Sequence, residues 1–229
     1  MPTSGRDSPL RLVVFDVDGT LIDSRRGILS AMRAAFAAAG RPAPPEAEIL
    51  SIVGLSLPVA LARLAPGGPV NALVAAYLEA FLAMRAAGAG EGASPLFPGA
   101  RAALERLDAA GLLLAVATGK ARRGLLHALE AHDLERFFLA TQSADDAPSK
   151  PHPGMVLNAL RLTGVDAADA IMVGDTTFDV EMARAAGARA VGVSWGHHAP
   201  EALMAAGAAA VIDGFEALDA ALDALWEPA

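Results

Sequence analysis

The chain has 229 residues, 54% of them hydrophobic, and a formal net charge of −8. That length supports one core plus a small second unit, and that hydrophobic share excludes general disorder. The acidic balance gives no basic surface for nucleic acid, and the absence of cysteine excludes disulfides and thiolate metal sites.

Met1 to Pro9 is polar and lacks the apolar segment of a secretory signal, so a loose amino end and a cytoplasmic location are expected. The apolar run Leu12, Val13, Val14, Phe15 then predicts a strand, and it ends in Asp16, Val17, Asp18, Gly19 and Thr20. Residues i and i+2 of an extended chain project to one side, so Asp16 and Asp18 face one small volume past the strand. Two anions that close need a cation, and hard oxygen ligands with few protein groups suit Mg²⁺ beside a substrate phosphate. Gly19 permits the backbone to reverse and Thr20 offers a hydroxyl donor, although a plain turn with a helix cap uses the same residues.

Ile28, Met32, Ala35, Phe36 and Ala39 recur at helical spacing up to Gly40, and Pro42, Pro44 and Pro45 break the next stretch. A second helix is predicted from Val70 to Ala86, and the Gly-, Ala- and Pro-rich stretch from Ala87 to Pro98 predicts a flexible return. Leu112 to Ala117 predicts a strand that stops at Thr118, Gly119 and Lys120. Ile171 to Val173 predicts another, stopping at Gly174 and Asp175, with Asp179 four residues on. Ala190 to Val193 and Ala210 to Ile212 complete the expected strands. Strand-like runs that each end in polar groups and lead into helix-like sequence predict a parallel α/β sheet with its site at the carboxyl ends of the strands. No apolar run approaches the ~18 residues needed to span a bilayer. Against sixteen arginines the sequence has two lysines, Lys120 and Lys150, both in candidate site loops.

Asp16 through Thr20, Thr118 with Gly119, Lys150 with Pro151, and Gly174 with Asp175 through Asp179 resemble the four ordered motifs of the haloacid dehalogenase superfamily. Within it the chain is similar to phosphoglycolate phosphatase-like hydrolases with a helical cap, from Leu12 to about Leu225. The resemblance implies a Rossmann-like core of residues 1–21 and 97–229 with a helical cap at 22–96. It implies that Asp16 is a nucleophile taking the phosphoryl group, Asp18 an acid and base, Thr118 a hydrogen-bond donor to phosphate and Lys150 a neutralising cation. Mg²⁺ would be held by Asp16, the backbone carbonyl of Asp18 and Asp175, with Asp179 assisting the metal shell or orienting Lys150. Charge counting agrees that a cation is needed: four carboxylates against Lys150 and Mg²⁺ leave one negative charge in excess, relieved if Asp18 is protonated.

The expected activity is Mg²⁺-dependent hydrolysis of a small phosphomonoester, with 2-phosphoglycolate the first candidate. Arg25 and Arg26, just past the first motif, could read its carboxylate; a solvated helix start accounts for them as well. Arg63, Arg122 and Arg123 are further candidates. Asp18 argues against a dehalogenase, and the absence of lysine between Thr20 and Lys120 argues against Schiff-base phosphonate cleavage. Phosphoglucomutase-like, pyrophosphatase and nucleotidase chemistries stay compatible, and a non-catalytic binding module is the alternative of another class. His152 reads as a loop-shaping neighbour, His197 and His198 as part of a polar loop or pocket rim, and Trp195 and Phe178 as packing or rim residues. Met172, Met182 and Met204 read as core. Neither a nucleic acid nor a membrane is expected as partner, and either a monomer or a homodimer fits an Ala-rich helical face.

Overall fold

The computed structural model describes residues 10–88 and 94–227. In chain order its elements are β1 (Leu12–Phe15), α1 (Arg25–Ala38), α2 (Glu46–Leu50), α3 (Leu57–Leu64), α4 (Val70–Ala86), α5 (Ala100–Ala109) and β2 (Leu113–Ala117). Next come α6 (Arg122–Ala131), β3 (Ala140–Gln142), α7 (Gly154–Thr163), β4 (Ala170–Gly174), α8 (Thr177–Ala185), β5 (Arg189–Val193), α9 (Pro200–Ala206), β6 (Ala210–Ile212) and α10 (Leu218–Trp226). The strands make one parallel sheet in the order β3-β2-β1-β4-β5-β6. The chain moves outward from β1 to β3, then restarts on the other side of β1 with β4. This reversal opens a crevice at the carboxyl ends of β1 and β4, where such sheets bind ligands.

Both faces of the sheet are covered, which is why β1 is apolar throughout. Val13 and Phe15 pack with Leu104, Leu114 and Leu218 on one face, and Leu12 and Val14 with Met155, Met172 and Val180 on the other. All four β1 side chains are 0% exposed. Burying each contributes about 1.5–3 kcal/mol, so β1 is anchored firmly before its chain turns into the site.

The helical insertion has its own core. Ile28, Met32 and Phe36 from α1 meet Ile49, Leu61 and Leu73, and Phe178 from α8 joins them from the sheet side. Helix α1 ends where Gly40 takes φ of +65°, as the sequence predicts. Helix α4 has the predicted bounds. The short helices α2 and α3 go beyond the sequence expectation, as does β3, a three-residue edge strand. The two crossings into and out of the insertion run side by side: Phe97 N–H donates to Leu21 O at 2.9 Å, and Asp23 N–H to Pro95 O at 2.9 Å.

Met172 and Met182 are buried as expected, but Met204 is 51% exposed. Helix α9 is short and buries only Leu203, so its next residue faces outward. The expected loose amino end (1–9) and residues 89–93 of the expected flexible return lie outside the described residues. Among the described residues no helix is long and apolar enough to cross a membrane.

Candidate active site

Asp16 extends β1 by one residue, its N–H donating to Val173 O of β4 at 3.0 Å. Its side chain is therefore fixed between the two central strands and is 1% exposed. After it the chain reverses, with the Leu21 and Ile22 N–H groups both donating to Val17 O at 3.0 and 2.9 Å. Gly19 makes that turn with φ of +85°, and an added Cβ would overlap His197 Nδ1 and Asp175 Oδ2. No side chain fits there.

Lys150 arrives from the loop before α7 and is wholly buried between two carboxylates. Its Nζ lies 2.9 Å from Asp16 Oδ1 and 2.5 Å from Asp179 Oδ1. Asp179 spends its other oxygen on the start of α8, accepting from Thr176 N–H at 3.0 Å and Thr176 Oγ1 at 2.7 Å in a capping box. Burial of Asp16 raises its pKa to about 7, against the lowering pull of Lys150 and with added repulsion from Asp179, Asp175 and Asp18. Lys150 is raised because Asp16 and Asp179 outweigh the burial that would lower it.

Asp18 has its own cation. Lys120 Nζ sits 3.1 Å from Asp18 Oδ2; burial pushes the Asp18 carboxyl up, but Lys120, Ser24 and His197 together hold it below the usual range. This corrects the charge count from the sequence, which left Lys120 out and needed a protonated Asp18. With Lys120 included, the four carboxylates, both lysines and one divalent cation balance to neutrality.

Asp175 ends β4 and is held from two sides. Its Oδ1 accepts from Thr20 Oγ1 at 3.0 Å, and its Oδ2 accepts from His197 N–H at 2.8 Å and meets His197 Nδ1 at 2.7 Å. Thr20 is thus committed to Asp175 rather than offered to an anion. Although burial would lower it, the His197 pKa is raised by Asp175. Oxygens of Asp16, Asp175 and Asp179 all lie within 4.8 Å of one another. Asp16 Oδ2 and Asp18 Oδ1 are buried without a hydrogen-bond partner. Buried, unsatisfied carboxylate oxygens are what a hard divalent cation completes, so the donor set fits Mg²⁺.

Thr118, 1% exposed, closes the site at the end of β2, where its Oγ1 accepts from Lys120 N–H at 3.3 Å. Beside it Gly119 touches the insertion: a Cβ there would overlap Gly54 O and lie 2.7 Å from Leu55 O. Ser56 N–H donates to Ser149 Oγ at 2.8 Å. His198 Nδ1 accepts from Thr177 N–H at 3.1 Å, which leaves Nε2 to donate to Ser51 O at 3.2 Å. The insertion is therefore docked on the sheet. The two histidines lie in the loop after β5, as expected, where they also clamp Asp175 and pin the insertion; His197 lines a small pocket.

Between sheet and insertion lies a cavity of about 330 Å³ whose walls include Asp16, Asp18, Thr118, Gly119 and Lys120. Arg25 and Arg26 are exposed and do not line it; Arg25 borders a separate small pocket with His197. Arg85 and Arg123 are the arginines on its walls. Arg63 stacks over Phe178 at 5.3 Å, and Arg122 pairs with Asp146 and donates to Thr141 Oγ1 at 2.7 Å. Trp195 packs against Phe215 and donates to Thr20 O at 3.1 Å, and His152 accepts from Gly154 N–H at 3.1 Å, both in keeping with the sequence reading.

A parallel sheet of this order, with buried carboxylates at the ends of β1 and β4 and a helical insertion after β1, is the architecture of a capped Rossmann-like enzyme. The chain belongs to the haloacid dehalogenase-like hydrolase family, which it matches over residues 13–193. Probable phosphatase IndB of Dickeya dadantii is 37% identical over 216 residues, spanning 93% of this chain and 94% of that protein. A phosphoglycolate phosphatase of Pseudomonas fluorescens is 33% identical over 194 residues, spanning 82% of this chain and 71% of that protein. The crystal structure of a hydrolase from Pseudomonas syringae superposes with a TM-score of 0.82 at 26% identity, covering 93% of this chain and 98% of that one.

Proposed function

We propose that the protein is a Mg²⁺-dependent phosphomonoesterase that works through an aspartyl-phosphate on Asp16. The observation that carries this reading is the buried Asp16, flanked by Lys150 and Asp175 and open to the cavity. Asp16, Asp175 and the Asp18 carbonyl would hold Mg²⁺, which when bound offsets charge on the phosphoryl oxygens. Asp179, bonded to Lys150 Nζ at 2.5 Å, orients that lysine.

An Asp16 oxygen attacks phosphorus as the bond from phosphorus to the alcohol oxygen breaks, and Asp18 gives that oxygen its proton. An arriving phosphate competes for Lys120 and adds negative charge beside Asp18, which raises its affinity for a proton. Asp18, again a carboxylate, then takes a proton from the water that attacks phosphorus and frees Asp16. Thr118, buried at the end of β2, donates to the phosphoryl oxygens. Residues 22–96 act as the cap over a core of 1–21 and 97–229, with the paired crossings at Leu21 and Phe97 as its hinge.

For 2-phosphoglycolate the support is the name of relatives such as the Pseudomonas fluorescens protein; the placement of Arg25 and Arg26 gives it none. The test is phosphate release from 2-phosphoglycolate, sugar phosphates, nucleotides and pyrophosphate, with Mg²⁺ and with chelator. Release that vanishes in chelator and in Asp16→Asn is expected. Undiminished release from Asp16→Asn would overturn the reading.

A further inference from the structure

The walls of the cavity away from the carboxylates do not suit a small acid. Ile28 and Met32 from α1, Leu55 and Leu57 before and at the start of α3, and Tyr77 and Phe81 from α4 bring almost no charge to it. The carboxylate of a hydroxy acid would need a second cation beyond Lys120, which pairs with Asp18 at 3.1 Å and is drawn on by the phosphate. Arg85 and Arg123, the two arginines on the walls, are exposed. A polyol would find few partners for its hydroxyls, because away from the carboxylates the polar side chains on the walls are Tyr77, His127 and the two arginines.

What the walls offer is rings and hydrocarbon. Tyr77 and Phe81 lie one helical turn apart with ring centroids 5.5 Å apart and planes tilted by 35°. On the same helix Leu78 and Leu82 line the cavity yet are 46% and 48% exposed, large apolar groups that the protein itself does not cover. The space is not an open cleft awaiting closure, because Gly54 already abuts Gly119 and Ser56 is bonded to Ser149. With the insertion docked, about 330 Å³ remain, at the lower end of the ~300–1,000 Å³ typical of ligand pockets.

We propose, on the phosphomonoesterase reading above, that the substrate is a phosphate monoester whose leaving alcohol carries an aromatic ring. The phosphate sits over Asp16 and the ring lies against Tyr77 and Phe81. Hydrolysis runs through the aspartyl-phosphate on Asp16, with the ring-bearing alcohol as the product protonated by Asp18.

The experiment uses the full chain with Mg²⁺ and compares kcat/KM for 2-phenylethyl phosphate, ethyl phosphate, glycerol 3-phosphate and 2-phosphoglycolate. The phenylethyl and ethyl alcohols leave with similar ease, so their ratio reads burial of the ring. The expected ratio is on the order of 30- to 100-fold in favour of the phenylethyl ester. Phe81→Ala, which removes one ring, and Leu57→Phe, which fills the space, should each shrink that ratio. On the unaltered protein, 2-phenylethylphosphonate should compete at a lower concentration than ethylphosphonate, a reading independent of turnover and of whether a variant folds. Release from all four esters with ratio near one, or with 2-phosphoglycolate preferred, overturns this inference and leaves the phosphomonoesterase reading standing. Absence of Asp16-dependent release from every ester overturns that reading and this one together.

Discussion

Replacing Lys150 with methionine keeps most of the side-chain volume and removes the charge between Asp16 and Asp179. In the structure its Nζ is 2.9 Å from one and 2.5 Å from the other, and its side chain is 0% exposed. Both carboxylates would then be buried without a counter-ion, which costs about 3–5 kcal/mol. For a chain of this size that is a fall in Tm of roughly 6–20 °C. The deficit depends on pH. Asp16 has a folded pKa raised from 3.8 to about 7, so its favourable contribution is full below the lower value and lost as pH rises through the upper one. Without Lys150 the folded pKa rises further, since its attraction was the main lowering influence. At about pH 5.5 Asp16 is protonated in both proteins, whereas at about pH 8 only the unaltered protein ionises it with Lys150's help. Thermal unfolding in chelator should therefore show a larger gap at about pH 8 than at about pH 5.5. A gap of under about 2 °C, or one that grows towards acid, would refute the assignment of Lys150 as the counter-ion.

Asp16→Asn should remove phosphate release yet raise thermal stability at neutral pH, because it deletes a charge that burial disfavours while Lys150 keeps Asp179; a less stable, active variant would contradict both expectations. Gly19→Ala must strain a φ of +85° and push on His197 and Asp175 together, and calorimetry should register a loss of at least about 2 kcal/mol. Gly119→Ala suits its backbone but collides with Gly54 O, so proteolysis should find the insertion more accessible while the Tm of the core hardly moves; an unchanged kcat/KM would show that docking at this contact is dispensable. Arg25→Ala and Arg26→Ala should each change kcat/KM by less than about threefold, since neither side chain lines the cavity.

The sheet and the acidic site were largely legible because both obey short-range rules. Five of the six strands stand out as apolar runs of strand length, and the acids of β1 and β4 sit where a parallel sheet places ligands. Strand β3 escaped because three residues on a sheet edge carry no periodicity. Lys120 and His197 were missed as partners of Asp18 and Asp175 because those contacts join positions about 102 and 22 residues apart, a relation that tertiary packing alone creates. Arg25 and Arg26 fit the solvated helix start that the sequence also offered. Nearness in sequence to the first motif suggested a role, but the helix they begin turns them away from the cavity.

The position of β1 has a consequence for how the chain is made. It leaves the ribosome ahead of every other strand, yet its two neighbours are β2, about a hundred residues later, and β4, which pairs Phe15 with Val173. Through most of synthesis Leu12 to Phe15 is an uncovered apolar strand with both edges unpaired, the kind of segment that chaperones hold and that aggregates when they do not. The acidic cluster can assemble only once the Asp175 turn has emerged, so a chain halted before that point carries Asp16 but not the charges that surround it.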